Sequence, residues 1–219
     1  MALPRTITGF EFAANQHIGG PYPVSSNYYA VSIDSTSGGV KIFSPGSSTD
    51  AAWSEEDASN APVPAANAAT HVSSVVDGTD IHVVWVQSDG TNTLANYYAR
   101  FSASSDTWQT ITGGNKYVQI DTGDDLGTAA NVSIDIAVRS DGDLVVVYNT
   151  ASEKVHGTNY NRAAYDVSTD SGATWAGATY LDGSGVGQHH RTPMCQLGSS
   201  DRTHILWNDN SATDVNHVT

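Results

Sequence analysis

The chain has 219 residues, of which 39% are apolar and 15% charged, against the roughly 25% charge usual in globular domains. With 23 acidic and 9 basic side chains its formal charge is −14, a mean field that repels a phosphate backbone and excludes nucleic acid as a partner. One cysteine, Cys195, rules out an intrachain disulfide or thiolate cluster and reads as a single buried thiol. No run approaches the about 18 apolar residues of a membrane span.

The first residues, Met1-Ala2-Leu3-Pro4-Arg5-Thr6, lack the basic region, apolar run and small-residue cleavage site of a secretory leader. The expectation is a protein kept in the cytoplasm until assembly or lysis releases it. Ser and Thr, 47 in all, replace the usual surface Lys and Glu, as in strand-rich proteins.

Along the chain one unit of about sixty residues recurs. The first copy, approximately 1–65, is loose: Asn27-Tyr28-Tyr29-Ala30-Val31 with Trp53 closing it, then an acidic, Pro-containing connection from Ser54 to Pro64. The second, 66–125, opens with His71-Val72-Ser73-Ser74-Val75-Val76, turns at Asp77-Gly78 and returns as Ile81-His82-Val83-Val84-Trp85, two short strands around a Gly-containing turn. Asn96-Tyr97-Tyr98-Ala99-Arg100-Phe101 and Ser105-Asp106-Thr107-Trp108 complete it. The loop that follows puts Asp121, Asp124 and Asp125 around Gly123, an oxygen-rich set that could hold Ca²⁺, or else an ordinary acidic loop. The third copy, 126–185, runs from Asn131-Val132-Ser133-Ile134-Asp135-Ile136 through Asp141-Gly142 to Leu144-Val145-Val146-Val147-Tyr148, then through Asn159-Tyr160-Asn161-Arg162 to Trp175. The fourth, 186–219, has Arg191-Thr192-Pro193-Met194-Cys195-Gln196-Leu197, a turn at Ser200-Asp201, and His204-Ile205-Leu206-Trp207. Each unit reads as four short strands, with almost no helical periodicity. An all-β propeller of four-stranded blades is therefore expected, the chain forming all or part of it. At about sixty residues per blade it supplies about three and a half, so either the natural product continues or several copies complete a ring.

Ser168-Thr169-Asp170-Ser171-Gly172-Ala173-Thr174-Trp175 fits S-x-D-x-G-x-T-W at every fixed position. Its Asp can accept backbone N–H bonds, its Gly permits positive φ, and its Trp buries a ring beneath the turn. This octapeptide resembles the Asp box, or bacterial neuraminidase repeat, of sialidase-like β-propellers. The resemblance implies a structural turn between the two outer strands, away from the ligand face. The copies at Ser105-Asp106-Thr107-Trp108 and Ser48-Thr49-Asp50-Ala51-Ala52-Trp53 lack the glycine. Arg191-Thr192-Pro193-Met194 resembles the sialidase Arg-x-Pro, whose arginine is one of three that clamp a carboxylate. In that family it precedes the first Asp box, whereas here it follows the intact one. The family also needs a tyrosine nucleophile paired with glutamate and an acid/base aspartate, yet Glu11, Glu55, Glu56 and Glu153 are the whole glutamate supply and none lies on a clear inner strand.

His71, Asn131 and Arg191 fall 60 residues apart, which places them together at one mouth of the central channel beside His189 and His190. Polar groups converging on a concave rim suit a sugar or carboxylate, the alternative being solvated residues at strand entry. Arg100 and Arg162 are read as matched positions on outer strands. The leading functional expectation is a non-catalytic recognition or structural module. Resemblance to sialidase-like propellers among bacteriophage virion proteins implies a tail fibre, decoration or host-attachment part, found on the virion or outside the cell after lysis. Its partners would be a glycan or host-surface receptor, other virion proteins, or copies of itself. The alternative is a sialidase-type glycosidase or a polysaccharide lyase acting on acidic glycans, with Arg191 binding the carboxylate and catalytic groups beyond residue 219.

Overall fold

The computed structural model describes residues 19–34, 37–45, 53–62, 69–88, 94–120, 133–155, 158–181, 190–197, 202–209 and 215–218. Antiparallel strands dominate, and the described residues include no α-helix. Four sheets follow one another along the chain, each laid down in sequence order. The first joins β1 (Gly19–Val24), β2 (Asn27–Ile33), β3 (Val40–Ser44) and β4 (Ser54–Glu55). The second joins β5 (Ala69–Asp77), β6 (Asp80–Ser88), β7 (Leu94–Ser102) and β8 (Thr107–Trp108), with β9 (Val118–Gln119) also on β7. The third contains β10 (Ile134–Val138), β11 (Leu144–Val155), β12 (Thr158–Ser168) and β13 (Thr179–Tyr180); the fourth contains β14 (His190–Leu197), β15 (Thr203–Asp209) and β16 (Val215–Val218).

The reason sheets stack is written in β6. Ile81, Val83 and Trp85 pack with Tyr29, Val31 and Ile42 of the first sheet, whereas Val84 and Val86 pack with Ile136, Val146 and Tyr148 of the third. A strand buried on both faces needs an apolar run rather than an alternating one, and two apolar faces require a neighbour on each side. A smaller layer of Val147, Ala163 and Ile205 joins the third sheet to the fourth. Fully burying one such side chain stabilises by about 1.5–3 kcal/mol, so these shared layers dominate the cohesion between sheets.

Two tyrosines reach across the layers into turns of the following sheet. Tyr29 donates to Asp106 Oδ1 at 2.6 Å and lies 3.3 Å from the Ala103 carbonyl. Tyr98 donates to the Ser171 carbonyl at 3.0 Å, and its ring lies over Gly172 and 5.5 Å from the Trp175 ring, edge on. Tyr98 oxygen is also 2.7 Å from Nδ1 of buried His82. The one phenolic proton sits on the Ser171 bond, so His82 Nδ1–H is the donor and the tautomer is fixed.

The octapeptide from Ser168 to Trp175 forms the turn between β12 and β13. Asp170 Oδ1 accepts from Thr174 N–H and the Ser168 hydroxyl, both at 2.8 Å, and Oδ2 accepts from Thr174 Oγ1 at 2.6 Å. Ser168 Oγ in turn accepts from Gly172 N–H at 2.8 Å. These bonds, the Thr174 side chain first, hold the Asp170 carboxyl below its ordinary pKa. Asp170→Ala should lower stability by about 1–2 kcal/mol, limited by the solvent exposure of the turn, as read from the urea midpoint.

Three sequence correspondences shift in the structure. Asn27-Tyr28-Tyr29-Ala30 lies on β2, the second strand of its sheet, whereas Asn96-Tyr97-Tyr98-Ala99 lies on β7, a third strand. Counted from their hairpins, Arg100 opposite His82 corresponds to Asp166 opposite Val146, and Arg162 opposite Thr150 corresponds to Asn96 opposite Val86. Ser54–Glu55, read as the start of a connection, is the fourth strand of the first sheet. In each case residue identity was matched without the register, and a pleated strand tolerates the same residue types at several positions.

Candidate functional site

Strand direction separates two ends of the molecule. The hairpins after β5 and β10 share one end with the turns that follow β7 and β12, as the 2.8 Å bond from Ala103 N–H to the Thr79 carbonyl shows for the second sheet. The first strands begin at the other end. They also lie side by side, β1 against β5, β5 against β10 and β10 against β14.

Along β5, Val72 and Val76 enter the layer shared with the first sheet and Val75 the layer shared with the third. Period-two alternation therefore turns Ser74 towards β1 and turns His71 and Ser73 towards β10. The contacts agree. Tyr22 on β1 donates to the Ser74 carbonyl at 2.6 Å, with Ser74 Oγ 3.1 Å away. Ser73 Oγ donates to Asp135 Oδ1 on β10 at 2.6 Å, and the same oxygen accepts Ile136 N–H at 3.0 Å. All four side chains are half-buried, so solvent reaches a seam of hydroxyls and one carboxylate that crosses three sheets. Burial raises the Tyr22 phenol above its ordinary pKa; the Asp135 charge adds to this and the Ser74 bond opposes it. Tyr22 is thus a neutral hydroxyl near pH 7, suited to hydrogen bonding rather than to nucleophilic attack.

The seam was not among the residues singled out from sequence. Asp135 carried a signal, being the one charge in the strand Ile134-Asp135-Ile136-Ala137-Val138. Tyr22 carried none, since the neighbour that defines it, Ser74, is 52 residues away.

Of the rim residues read from the 60-residue spacing, His71 lies on β5 opposite Val86, and its Nδ1 is 3.3 Å from Thr70 Oγ1. Arg191 lies on β14 opposite Asn208, and His190 opposite Asp209. Both His71 and Arg191 stand six residues before the pair that closes their hairpin, Asp77 with Asp80 and Leu197 with Thr203. Asp135 stands three residues and Tyr22 two before theirs, so the seam lies roughly 7–13 Å further from the entry end than the rim residues, at about 3.3 Å per residue. Asn131 and His189 lie outside the described residues. So do Asp121, Asp124 and Asp125; among the described residues no three His, Cys, Asp or Glu side chains group to hold a metal.

Three of the four first strands share a local irregularity. An extra residue is inserted between Gly19 and Tyr22, between Ala69 and His71, and between Arg191 and Met194. Such bulges re-aim the side chains beside them and are common at the rims of functional sites. Gly19-Gly20-Pro21-Tyr22 and Arg191-Thr192-Pro193-Met194 carry the shift across similar four-residue spans, Gly19 standing five residues before its closing pair and Arg191 six. A Cβ at Gly19 would fall 1.7 Å from Ser74 Oγ, so any side chain there requires that hydroxyl to turn away.

No protein-family model matches the chain, and no curated protein matches its sequence. Solved structures do. An endo-arabinase from Bacteroides thetaiotaomicron is 15% identical with a TM-score of 0.50, over 90% of this chain and 71% of that one. An α-L-arabinanase from Penicillium chrysogenum is 12% identical with a TM-score of 0.54, over 88% of this chain and 56% of that one. A thermostable family-43 glycoside hydrolase is 13% identical with a TM-score of 0.50, over 86% and 62%.

The chain is a β-propeller. Its four sheets are blades, its first strands the innermost ones, and the Tyr22–Asp135 seam lies on the inner strands of three blades. It spans between 56% and 71% of the length of these structures. No helix among the described residues is long and apolar enough to cross a membrane.

Proposed function

We propose that this propeller is a carbohydrate-active protein of the glycoside-hydrolase type, with a glycan lying across the inner strands and Asp135 as the carboxylate that meets it. The observation that supports this most directly is the inner-strand seam, where Asp135 is oriented by the Ser73 hydroxyl and the Ile136 N–H and flanked by hydroxyls of two other blades. A carboxylate fixed in this way can accept a proton from an attacking water or hold a sugar hydroxyl. The likeness to arabinanase folds supports the same class. The assay is release of reducing sugar from arabinan, from sialosides and from uronic-acid polymers by the purified chain. Asp135→Asn should lower the rate on the responsive polymer by roughly 10²–10³-fold, in the range expected for losing an acid–base group. An unchanged rate would remove Asp135 from the reaction.

A second reading has one observation of its own. The described seam also presents three hydroxyls, those of Tyr22, Ser73 and Ser74, groups that suit holding a sugar. This supports a recognition module that binds glycan without cleaving it, for example as an attachment part of a virus particle with a host-surface glycan as partner. Binding of one of these polymers with no product released would favour that reading.

A further inference from the structure

We infer a modification site away from the seam, at the tip of the β5–β6 hairpin: Asp77 converts spontaneously to isoaspartate, whereas Asp141, in the same Asp-Gly dipeptide on the next blade, is protected by its turn. In this reaction the backbone nitrogen of the glycine attacks the side-chain Cγ of the aspartate. A C–N bond forms, the amide proton leaves with the carboxyl hydroxyl as water, and a five-membered succinimide results. Water then opens the ring at either carbonyl. Cleavage on the Cγ side restores aspartate; cleavage at the main-chain carbonyl leaves the chain running through Cβ and Cγ, one carbon longer and unchanged in mass. Glycine in the second position lacks the Cβ that hinders the approach elsewhere.

Both dipeptides are exposed, so access to water does not separate them; what does is how the reacting atoms are held. Among the described residues the Asp77 carboxylate makes no hydrogen bond or ion pair, and the Gly78 N–H has no acceptor. The bond that ties this tip down, from Ala103 N–H, reaches the Thr79 carbonyl instead. Asp141 has Oδ2 3.3 Å from Arg139 Nη2 and Oδ1 accepting Asp143 N–H at 3.1 Å. The attacking group there, Gly142 N–H, donates to the Arg139 carbonyl at 3.0 Å. The ion pair and both bonds must break before nitrogen and Cγ can meet, and each lowers the fraction of time the turn is open. Conversion at Asp77 lengthens the main chain at the Asp77–Asp80 pair that closes the hairpin, on the strand that carries Ser73 and Ser74.

Incubating the purified full chain for several weeks at neutral pH and physiological temperature, then mapping its peptides by electron-transfer fragmentation, tests this. A parallel incubation in guanidinium chloride gives the conversion that local sequence alone confers. In the folded chain isoaspartate at Asp77 should exceed that at Asp141 by about tenfold or more, and in guanidinium chloride by less than about threefold, because only the fold supplies the extra bonds around Asp141. A ratio in the folded chain no larger than in guanidinium chloride overturns the inference, since flanking sequence rather than the turn then sets it. Folded protein that forms no isoaspartate at Asp77 overturns it as well.

Discussion

Gly172→Ala is expected to be among the most damaging single-methyl additions in this protein, lowering stability by about 3–4 kcal/mol and the melting temperature by about 10 °C. Gly172 has φ of +87°, where an L side chain is strained by about 1–2 kcal/mol. A Cβ there would also overlap Cε1 and Cζ of the Tyr98 ring. That ring cannot retreat, because its hydroxyl is tied to Ser171 and His82 and its edge meets Trp175. Gly78→Ala is the matched control. Gly78 has φ of +58° with nothing within 4 Å of the added atom, so it should show the backbone cost alone, about 1–2 kcal/mol. Differential scanning calorimetry on both variants measures the difference, which is the price of crowding Tyr98. Equal losses would show that the ring yields.

Acid should weaken the same junction through His82. Burial lowers its pKa from 6.5 to about 4, with the charge of Arg100 acting in the same direction and those of Asp80 and Asp77 against it. The unfolded chain takes up this proton near pH 6.5 and the folded one near pH 4, so the unfolded state binds more protons in between. Stability is unaffected by this group above pH 6.5, falls as pH drops through the window, and by pH 4 has lost about 3 kcal/mol. Urea unfolding across the window should show that slope in the wild type and its disappearance in His82→Phe, which also loses the Tyr98 bond at every pH. Asp166 contributes in the opposite sense. Burial raises its carboxyl above the ordinary value while N–H bonds from Val167 and Gly177 oppose this, so its protonation relieves the folded state. Asp170, held below its ordinary value, loses its contribution only as pH falls beneath 3.8, under the His82 window. A wild-type slope that survives in His82→Phe would assign the acid sensitivity to other groups.

The propeller was legible in the sequence because its blades repeat. The pairs of apolar runs around Asp77-Gly78 and Asp141-Gly142 mark pairs of short strands joined by tight turns, and the structure pairs them so. The octapeptide from Ser168 to Trp175 was equally legible, since its bonds run among Ser168, Asp170, Gly172 and Thr174 over at most four residues. The seam was not. It depends on which of two adjacent serines faces which neighbouring strand, and a one-residue change of register exchanges them. The bulge between Ala69 and His71 alters that count in a way composition does not announce. The spacing of His71 and Arg191 gives an expectation of a rim, whereas the seam's side chains come from three different offsets within their strands. For the same reason Arg100 and Arg162 looked equivalent while lying four residues apart in register.

The two tyrosine contacts with following turns also bear on how such a protein could be recombined. Tyr29 is donated by one blade and received at Asp106 in the next; Tyr98 is donated by that blade and received at Ser171 in the one after. A whole blade excised or duplicated at its natural borders would part a phenol from its acceptor on each side. A transplantable module is therefore the stretch from one tyrosine to the turn that receives it, and chimeras spliced within blades should fold where those spliced between them fail.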